Sequence, residues 1–431
     1  MKDLHIGVVG LSHLGIVYSA GLASLGFTVT GVDSDKQTVT RLQQGDCIHP
    51  EPSLPEMMKE LRVKMSFTVE FSKLAECDVV LFAQDTIITE TNDIDLSRTH
   101  ALIDAMIPHL KPGVTIFFMS QVPVGFTRVL YKKISDVRQG LSFHLHYWVE
   151  VLVIGDAVAS FQKPGRIIIG HRETPASVTH LGLSVLQAFA CPILDMRYES
   201  AELTKSAINI CLATTVTFAN TLSDLSEAVG ADYQEMIPAL RLDKRIGPHA
   251  YVRPGLGLSG GHLERDLVAL SKLTKKHKLG SALLDLILRE SADRYEWLKE
   301  CLESQVFAKN PTPRIALWGL SYKKNTDSTH GAPSLKVIAD FAMRAELTAY
   351  DPVAKLPEDV QVKRVADRYE ALADADALLI LSDWDEFKDL DVAKMKQVMK
   401  TLLIIDPLGV LSGISANLAQ EQVSYVTMGR S

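Results

Sequence analysis

Cysteine is scarce in this chain: Cys47, Cys77, Cys191, Cys211 and Cys301 are scattered, odd in number and form no CxxC pair. That pattern argues against a disulfide framework and a zinc site, and it favours a reducing compartment. Positive charge is also in short supply. A net charge of -7 gives no electrostatic reason to expect nucleic acid or an anionic membrane as a partner. Long apolar runs are missing too: no stretch is long enough to span a bilayer, and no signal-peptide core follows Met1-Lys2-Asp3. A cytoplasmic protein without membrane attachment is the expectation. Low-complexity segments and short-period repeats are absent.

What is present is an ordinary globular composition, 47% hydrophobic and 23% charged, in a chain of 431 residues that is too long for one core. The first half alternates short Val/Ile/Leu/Phe runs with helical patterns, the mark of a parallel sheet with crossover helices. Strands are expected at 6–9, 28–32, 79–83, 115–119, 151–154 and 167–169. Residues 199–229 contain neither Pro nor Gly, carry apolar side chains at helical spacing and run into Gly230, which predicts one long helix. Its apolar residues cover more than one face, so a homodimer through it is expected. A further helical stretch is expected from about 263 to 298, then a second alternating segment with strands at 315–318, 347–350, 377–381 and 402–405. The fold class is α/β: two Rossmann-like domains with parallel sheets joined by a long central helix. The expected domains are 1–197, 198–305 and 306–431.

Gly10-Leu11-Ser12-His13-Leu14-Gly15 follows an expected strand directly and opens an expected helix. It keeps the first and last glycines of GxGxxG, with Ser12 in place of the second. Gly10 allows the tight turn, Gly15 allows close helix–strand packing, and Ser12 must let backbone approach a pyrophosphate. Asp33 closes the next strand, at roughly the 20-residue distance where a carboxylate takes the adenosine ribose hydroxyls and favours NAD over NADP. The residues after it, Ser34, Asp35 and Lys36, include no arginine for a 2′-phosphate. A strand–turn–helix that binds nothing is the alternative.

Further motifs follow in order: Asp95-Leu96-Ser97, the run from Pro108 to Gly113, the run from Val122 to Thr127, and Glu202-Leu203-Thr204-Lys205 with Asn209. Beyond them come Tyr251-Val252-Arg253-Pro254-Gly255, the run from Gly319 to Lys323 with Thr326-Asp327, Tyr350-Asp351-Pro352, and the run from Asp383 to Phe387. Together they resemble the UDP-glucose/GDP-mannose dehydrogenase family along nearly the whole chain. Members of that family oxidise the C6 alcohol of a nucleotide sugar to a carboxylate in two hydride transfers to NAD, with a cysteine that traps the aldehyde as a thiohemiacetal. The resemblance implies cofactor contacts at Gly10, Ser12, His13, Leu14, Gly15, Asp33, Thr86 and Gln121. It implies catalytic roles for Glu150, Lys205, Asn209 and Asp266, and substrate contacts at Arg245, Arg253, Gly257 and Lys323, the three cations serving the diphosphate. A nucleotide sugar is the expected partner.

The family loop ends Gly-Gly-Ser-Cys with an Asp four residues on; here it reads Ser259-Gly260-Gly261-His262, with Asp266 in place. Imidazole adds poorly to aldehydes, and an acyl-imidazole is labile, but imidazole is a good general base at neutral pH. His262 is therefore a base or a structural residue. Gln121 replaces a Thr, Trp148-Val149 replace an Asn-Pro before the retained Glu150, and His330 and Leu408 replace two arginines. Glu202, Lys205 and Asn209 share one face of the long helix. Lysine and asparagine there suit polarising a sugar oxygen or placing a water, with Asp266 holding the lysine or acting as base. Three outcomes stay open: a dehydrogenase that stops after one two-electron step, a four-electron enzyme acting through a hydrated aldehyde, and a non-catalytic nucleotide-sugar or NAD binding protein.

Overall fold

The computed structural model describes residues 4–49, 51–89, 94–150, 152–173, 180–357, 360 and 362–430. The chain divides into two compact units, Met1–Ile208 and Asn209–Ser431, and the boundary falls within the 32-residue helix Tyr198–Val229. In the first unit the strands are β1 (His5–Val9), β2 (Thr28–Val32), β3 (Met65–Thr68), β4 (Val79–Phe82), β5 (Ile87–Ile88), β6 (Ile94–Asp95), β7 (Val114–Phe118), β8 (Phe143–Trp148), β9 (Ile167–His171) and β10 (Ile193–Arg197). Among the described residues, eight form one sheet in the order β10-β9-β8-β7-β4-β1-β2-β3, with β5 and β6 a separate antiparallel pair. Neighbours in the sheet run parallel except β8 and β9. The central strands are continuous apolar runs because both faces are covered; every residue of β4 is fully buried. Strand order reverses between β1 and β4, the switch point at which open α/β sheets place their ligands.

The second unit adds β11 (Arg314–Trp318), β12 (Glu346–Tyr350), β13 (Lys363–Arg364), β14 (Ala377–Ile380), β15 (Leu403–Ile405) and β16 (Ser424–Val426). They form a parallel sheet in the order β13-β12-β11-β14-β15-β16. The two sheets repeat one device. After β1, Gly10 turns with φ +91 and Leu11 N donates to Asp33 at 2.7 Å; after β11, Gly319 turns with φ +99 and Leu320 N donates to Asp351 at 2.8 Å.

The long helix begins one residue before its expected start and ends at Gly230, whose φ of +74 stops it. Two expectations fail. No strand covers 152–154, and Val151 lies outside the described residues; the strand there is β8, whose sequence Phe-His-Leu-His-Tyr-Trp alternates and so lacks the continuous apolar signature. The helical stretch expected over 263–298 is broken into His262–Lys276, Ala282–Asp293 and Tyr295–Leu302, with Lys278 at φ +58 ahead of Gly280. No helix among the described residues is long and apolar enough to cross a membrane.

The alternation of β8 buries His146 against Phe117 and beside His171 of β9. His171 Nε2 donates to Asp195 at 2.7 Å, His171 Nδ1 and His146 Nδ1 share a hydrogen bond at 3.0 Å, and His146 Nε2 is buried with no partner among the described residues. Burial first, then the neighbouring imidazoles, hold His146 down at about 3 against an ordinary 6.5. A base depressed by folding stabilises the fold above its unfolded value and loses that contribution as pH falls through the window from about 6.5 to about 3. Thermal midpoints of wild type and His146→Gln between pH 7 and pH 4.5 test this: the variant is expected to lose less, by on the order of 2 kcal/mol at the acid end.

Candidate functional site

The first crevice is built by backbone. A methyl at Gly10 would come within 2.9 Å of Gln84 backbone, and one at Gly15 within 1.8 Å of the Gly10 carbonyl oxygen, so both positions demand glycine. Ser12 does not: its φ is -74, ordinary for any residue, and its hydroxyl turns aside to Ala83 O at 3.3 Å and to Asp85 N at 2.8 Å. The departure from GxGxxG at this position therefore leaves the turn intact. His13 and Leu14 open the helix His13–Ser24.

Asp33 closes β2 with no exposed surface. It accepts from Leu11 N at 2.7 Å, from Asp35 N at 2.9 Å, and from Arg98 Nη2 at 2.9 and 3.1 Å. Arg98 also donates through Nε to Gln84 Oε1 at 3.2 Å. The amide of Leu14, a helix-start donor of the kind that takes a pyrophosphate, is held at 3.1 Å by the exposed carboxylate of Asp85. A diphosphate entering here must displace that carboxylate.

His13 Nε2 meets Glu51 at 2.9 Å, and Glu51 accepts from Gly155 N at 3.0 Å and Ala157 N at 2.7 Å, capping the helix Ala157–Gln162. Burial pushes the Glu51 carboxyl up, but the three donors outweigh it and hold it low. Thr86 Oγ1 donates to Gln121 O at 2.6 Å, so two expected cofactor residues touch. Near the start of the long helix, Lys205 Nζ donates to Glu150 O at 2.6 Å and reaches Glu150 Oε2 at 3.3 Å. Glu202 is buried and accepts from Gly125 N at 2.5 Å and Thr127 N at 2.8 Å; burial nevertheless dominates and raises it. It fastens the helix to the loop before Phe126–Val137.

In the second unit, Asn209 Nδ2 donates to Asp266 at 2.5 Å, and Arg265 Nε donates to its other oxygen at 3.1 Å. Both acid and guanidinium are buried, an ion pair that needs such added hydrogen bonds to offset desolvation. His262, exposed, is the first residue of the helix His262–Lys276, behind Gly260 (φ +77) and Gly261 (φ +74). A methyl at Gly260 would strike the Tyr322 ring at 2.4 Å, and one at Gly257 the Ser291 carbonyl at 2.3 Å, so the loop is moulded to its neighbours. Arg253 is exposed between buried Val252 and Pro254, and Lys323 lies 5.5 Å from the Tyr322 ring centre. Arg245, expected on the diphosphate, is 89% exposed and closes on Asp243 of its own turn at 2.7 Å. Leu408, in place of an arginine, lies 3.5 Å from the Cβ position of Gly255.

Five residues here escape the sequence reading: Glu51, Gln84, Asp85, Arg98 and Arg265. Only Arg265 carries a local signal, its adjacency to Asp266. The Asp85 placement has a measurable consequence. Asp85→Ala is expected to tighten NADH binding about three- to tenfold by freeing the Leu14 amide and removing a repelling charge. Fluorescence titration reads it, and weaker binding in the variant contradicts it.

Comparison with known proteins agrees with this geometry. The NAD binding domain of the UDP-glucose/GDP-mannose dehydrogenase family matches residues 4–187, its central domain 199–290 and its UDP binding domain 316–413. UDP-glucose 6-dehydrogenase TuaD of Bacillus subtilis is 29% identical over 416 residues, covering 93% of this chain and 88% of that protein. The UDP-glucose 6-dehydrogenase of Pseudomonas aeruginosa is 29% identical over 452 residues, covering 99% and 98%. A solved UDP-glucose dehydrogenase from the archaeon Pyrobaculum islandicum superposes with a TM-score of 0.86 at 26% identity, over 100% of this chain and 98% of that one. A UDP-D-ManNAc dehydrogenase from Pyrococcus horikoshii shares the fold, with a TM-score of 0.84 at 22% identity over 99% of both chains. With a glycine turn and carboxylate in the first sheet, the same device in the second, and all three domains matched in order, the chain belongs to the UDP-glucose/GDP-mannose dehydrogenase family.

Proposed function

We propose that this NAD-dependent nucleotide-sugar dehydrogenase oxidises a UDP-linked sugar by one two-electron step, with His262 as the base. The observation that carries the reading is the placement of His262: exposed at the head of a helix, behind two left-handed glycines, with Asp266 one turn along the same helix. The cysteines support it. Burial pushes Cys77 and Cys301 up to about 12 and raises Cys47 and Cys191, which disfavours a thiolate, and Cys211 is exposed on the long helix, away in sequence from the glycine loop.

NAD, when bound, supplies the hydride acceptor. The backbone turn Gly10–Gly15 fits a dinucleotide, since a side chain at either glycine would fill the cradle. In this reading His262 takes the hydroxyl proton as the C–H bond breaks. Asp266, fixed by Asn209 and Arg265, lies one helical turn from the imidazolium that forms. Lys205, oriented by Glu150, polarises the sugar oxygen. Arg253 and Lys323 serve the diphosphate. Arg245, tied to Asp243, is the weakest of the three. The free cysteines fit a cytoplasmic setting. A second reading, nucleotide-sugar binding without turnover, is favoured by one observation: Asp85 occupies the Leu14 amide and so opposes the cofactor.

A panel of UDP- and GDP-sugars with NAD separates these. One NADH per sugar consumed is expected, His262→Ala is expected to lower the rate on the order of 10²–10⁴-fold, and His262→Cys to yield some four-electron product. Two NADH per sugar, with an acyl adduct detected on a cysteine, refutes the reading; no turnover with any sugar favours the binding protein.

The chain is further proposed to dimerise through the long helix, where Leu203, Ala207, Cys211, Phe218 and Leu225 are exposed at helical spacing. Sedimentation is expected to show a dimer at micromolar concentration and a monomer for Phe218→Glu. A monomeric wild type contradicts this.

A further inference from the structure

Around the end of β2 the reachable group is a cation. Asp33 has no exposed surface, and Arg98 of the helix Ser97–Met106 lies on it with 35% of its own side chain in solvent. A carboxylate offers about four lone-pair sites. Here Leu11 N, Asp35 N and the two contacts of Arg98 Nη2 take them up. Gln84 Oε1 accepts from Nε of the same guanidinium at 3.2 Å.

In Rossmann sites that prefer NAD, a bare carboxylate accepts the ribose hydroxyls and repels a 2′-phosphate; in NADP sites a nearby arginine accepts that phosphate. This chain holds both groups in one ion pair. We propose that Arg98 is a specificity-determining residue of the cofactor crevice, which cancels the repulsion from Asp33 and admits a 2′-phosphorylated dinucleotide alongside NAD. The inference rests on reading this turn as the cofactor site. The other charges beside the pair, Asp35 and Lys36, are opposite in sign and leave the balance to Asp33 and Arg98. A guanidinium that turns from Asp33 to a phosphate exchanges a charge-assisted pair made by one nitrogen for one that two nitrogens can fork. A 2′-hydroxyl can accept from the same nitrogen, so NAD keeps its place. Without the guanidinium, only the repelling carboxylate remains.

The test uses the full chain as wild type, Arg98→Gln and Arg98→Lys, titrated with NADH and NADPH at low salt. Wild type is expected to bind NADPH within about tenfold of NADH, and Arg98→Gln to raise the NADPH-to-NADH ratio of Kd on the order of tenfold further. Arg98→Lys, which keeps the charge and loses the fork, should fall between and carries the comparison if the Gln variant does not fold. A ratio indifferent to residue 98, or a wild type that binds NADH but not NADPH, overturns the inference while leaving the cofactor site standing. A wild type that binds neither dinucleotide overturns both.

Discussion

A methyl group at Gly15 would sit 1.8 Å from the carbonyl oxygen of Gly10, a separation no pair of such atoms tolerates. The helix His13–Ser24 can lie that close to the end of β1 only because Gly15 has no side chain, and the approach fixes much else. It buries Leu14 to Ala23 almost without exception, aims the helix-start amides at one point, and brings Leu11 N onto Asp33. Ser12 is tolerated inside this frame because its backbone is ordinary and its hydroxyl finds partners on the neighbouring loop.

Backbone amides at such turns need acceptors, and here carboxylates supply them repeatedly. Asp33, Glu51, Asp85 and Glu202 all accept from main-chain N–H groups at loop ends or helix starts. The acids of this acidic chain are thus partly a scaffold: they hold loops in the shapes that present Lys205, His13 and the glycine turn. With Asp85 on the Leu14 amide, this scaffold competes with any diphosphate that would take the same donor.

Strands β1, β4 and β7 are legible in the sequence because burial on both faces demands near-continuous apolar runs. Strand β8 hides, since two histidines alternate with its apolar residues and one of them enters a polar chain across β9 and β10. The site divides the same way. The glycine turn and Asp33 follow from motif spacing, Asn209 and Asp266 from the family resemblance alone, and the structure joins the last two by a hydrogen bond. Arg98 stands 65 residues from Asp33 and Asp85 stands 71 from Leu14, and no periodicity links them. Spacing also cannot say that Arg245 spends its charge on Asp243.

The second sheet repeats the turn but not the opening. Asp351 ends β12 as Asp33 ends β2, yet its oxygens accept from Leu320, Ser321, Val353 and Ala354 amides, and the buried Trp384 Nε1 closes the remaining side at 3.2 Å. An indole packed in the core does not swing aside as a half-exposed guanidinium does. The duplicated architecture therefore covers one carboxylate with a guanidinium that solvent reaches and seals its twin beneath an indole, so a dinucleotide is expected at the first turn alone, and a chain assayed by its content of bound dinucleotide counts once, not twice.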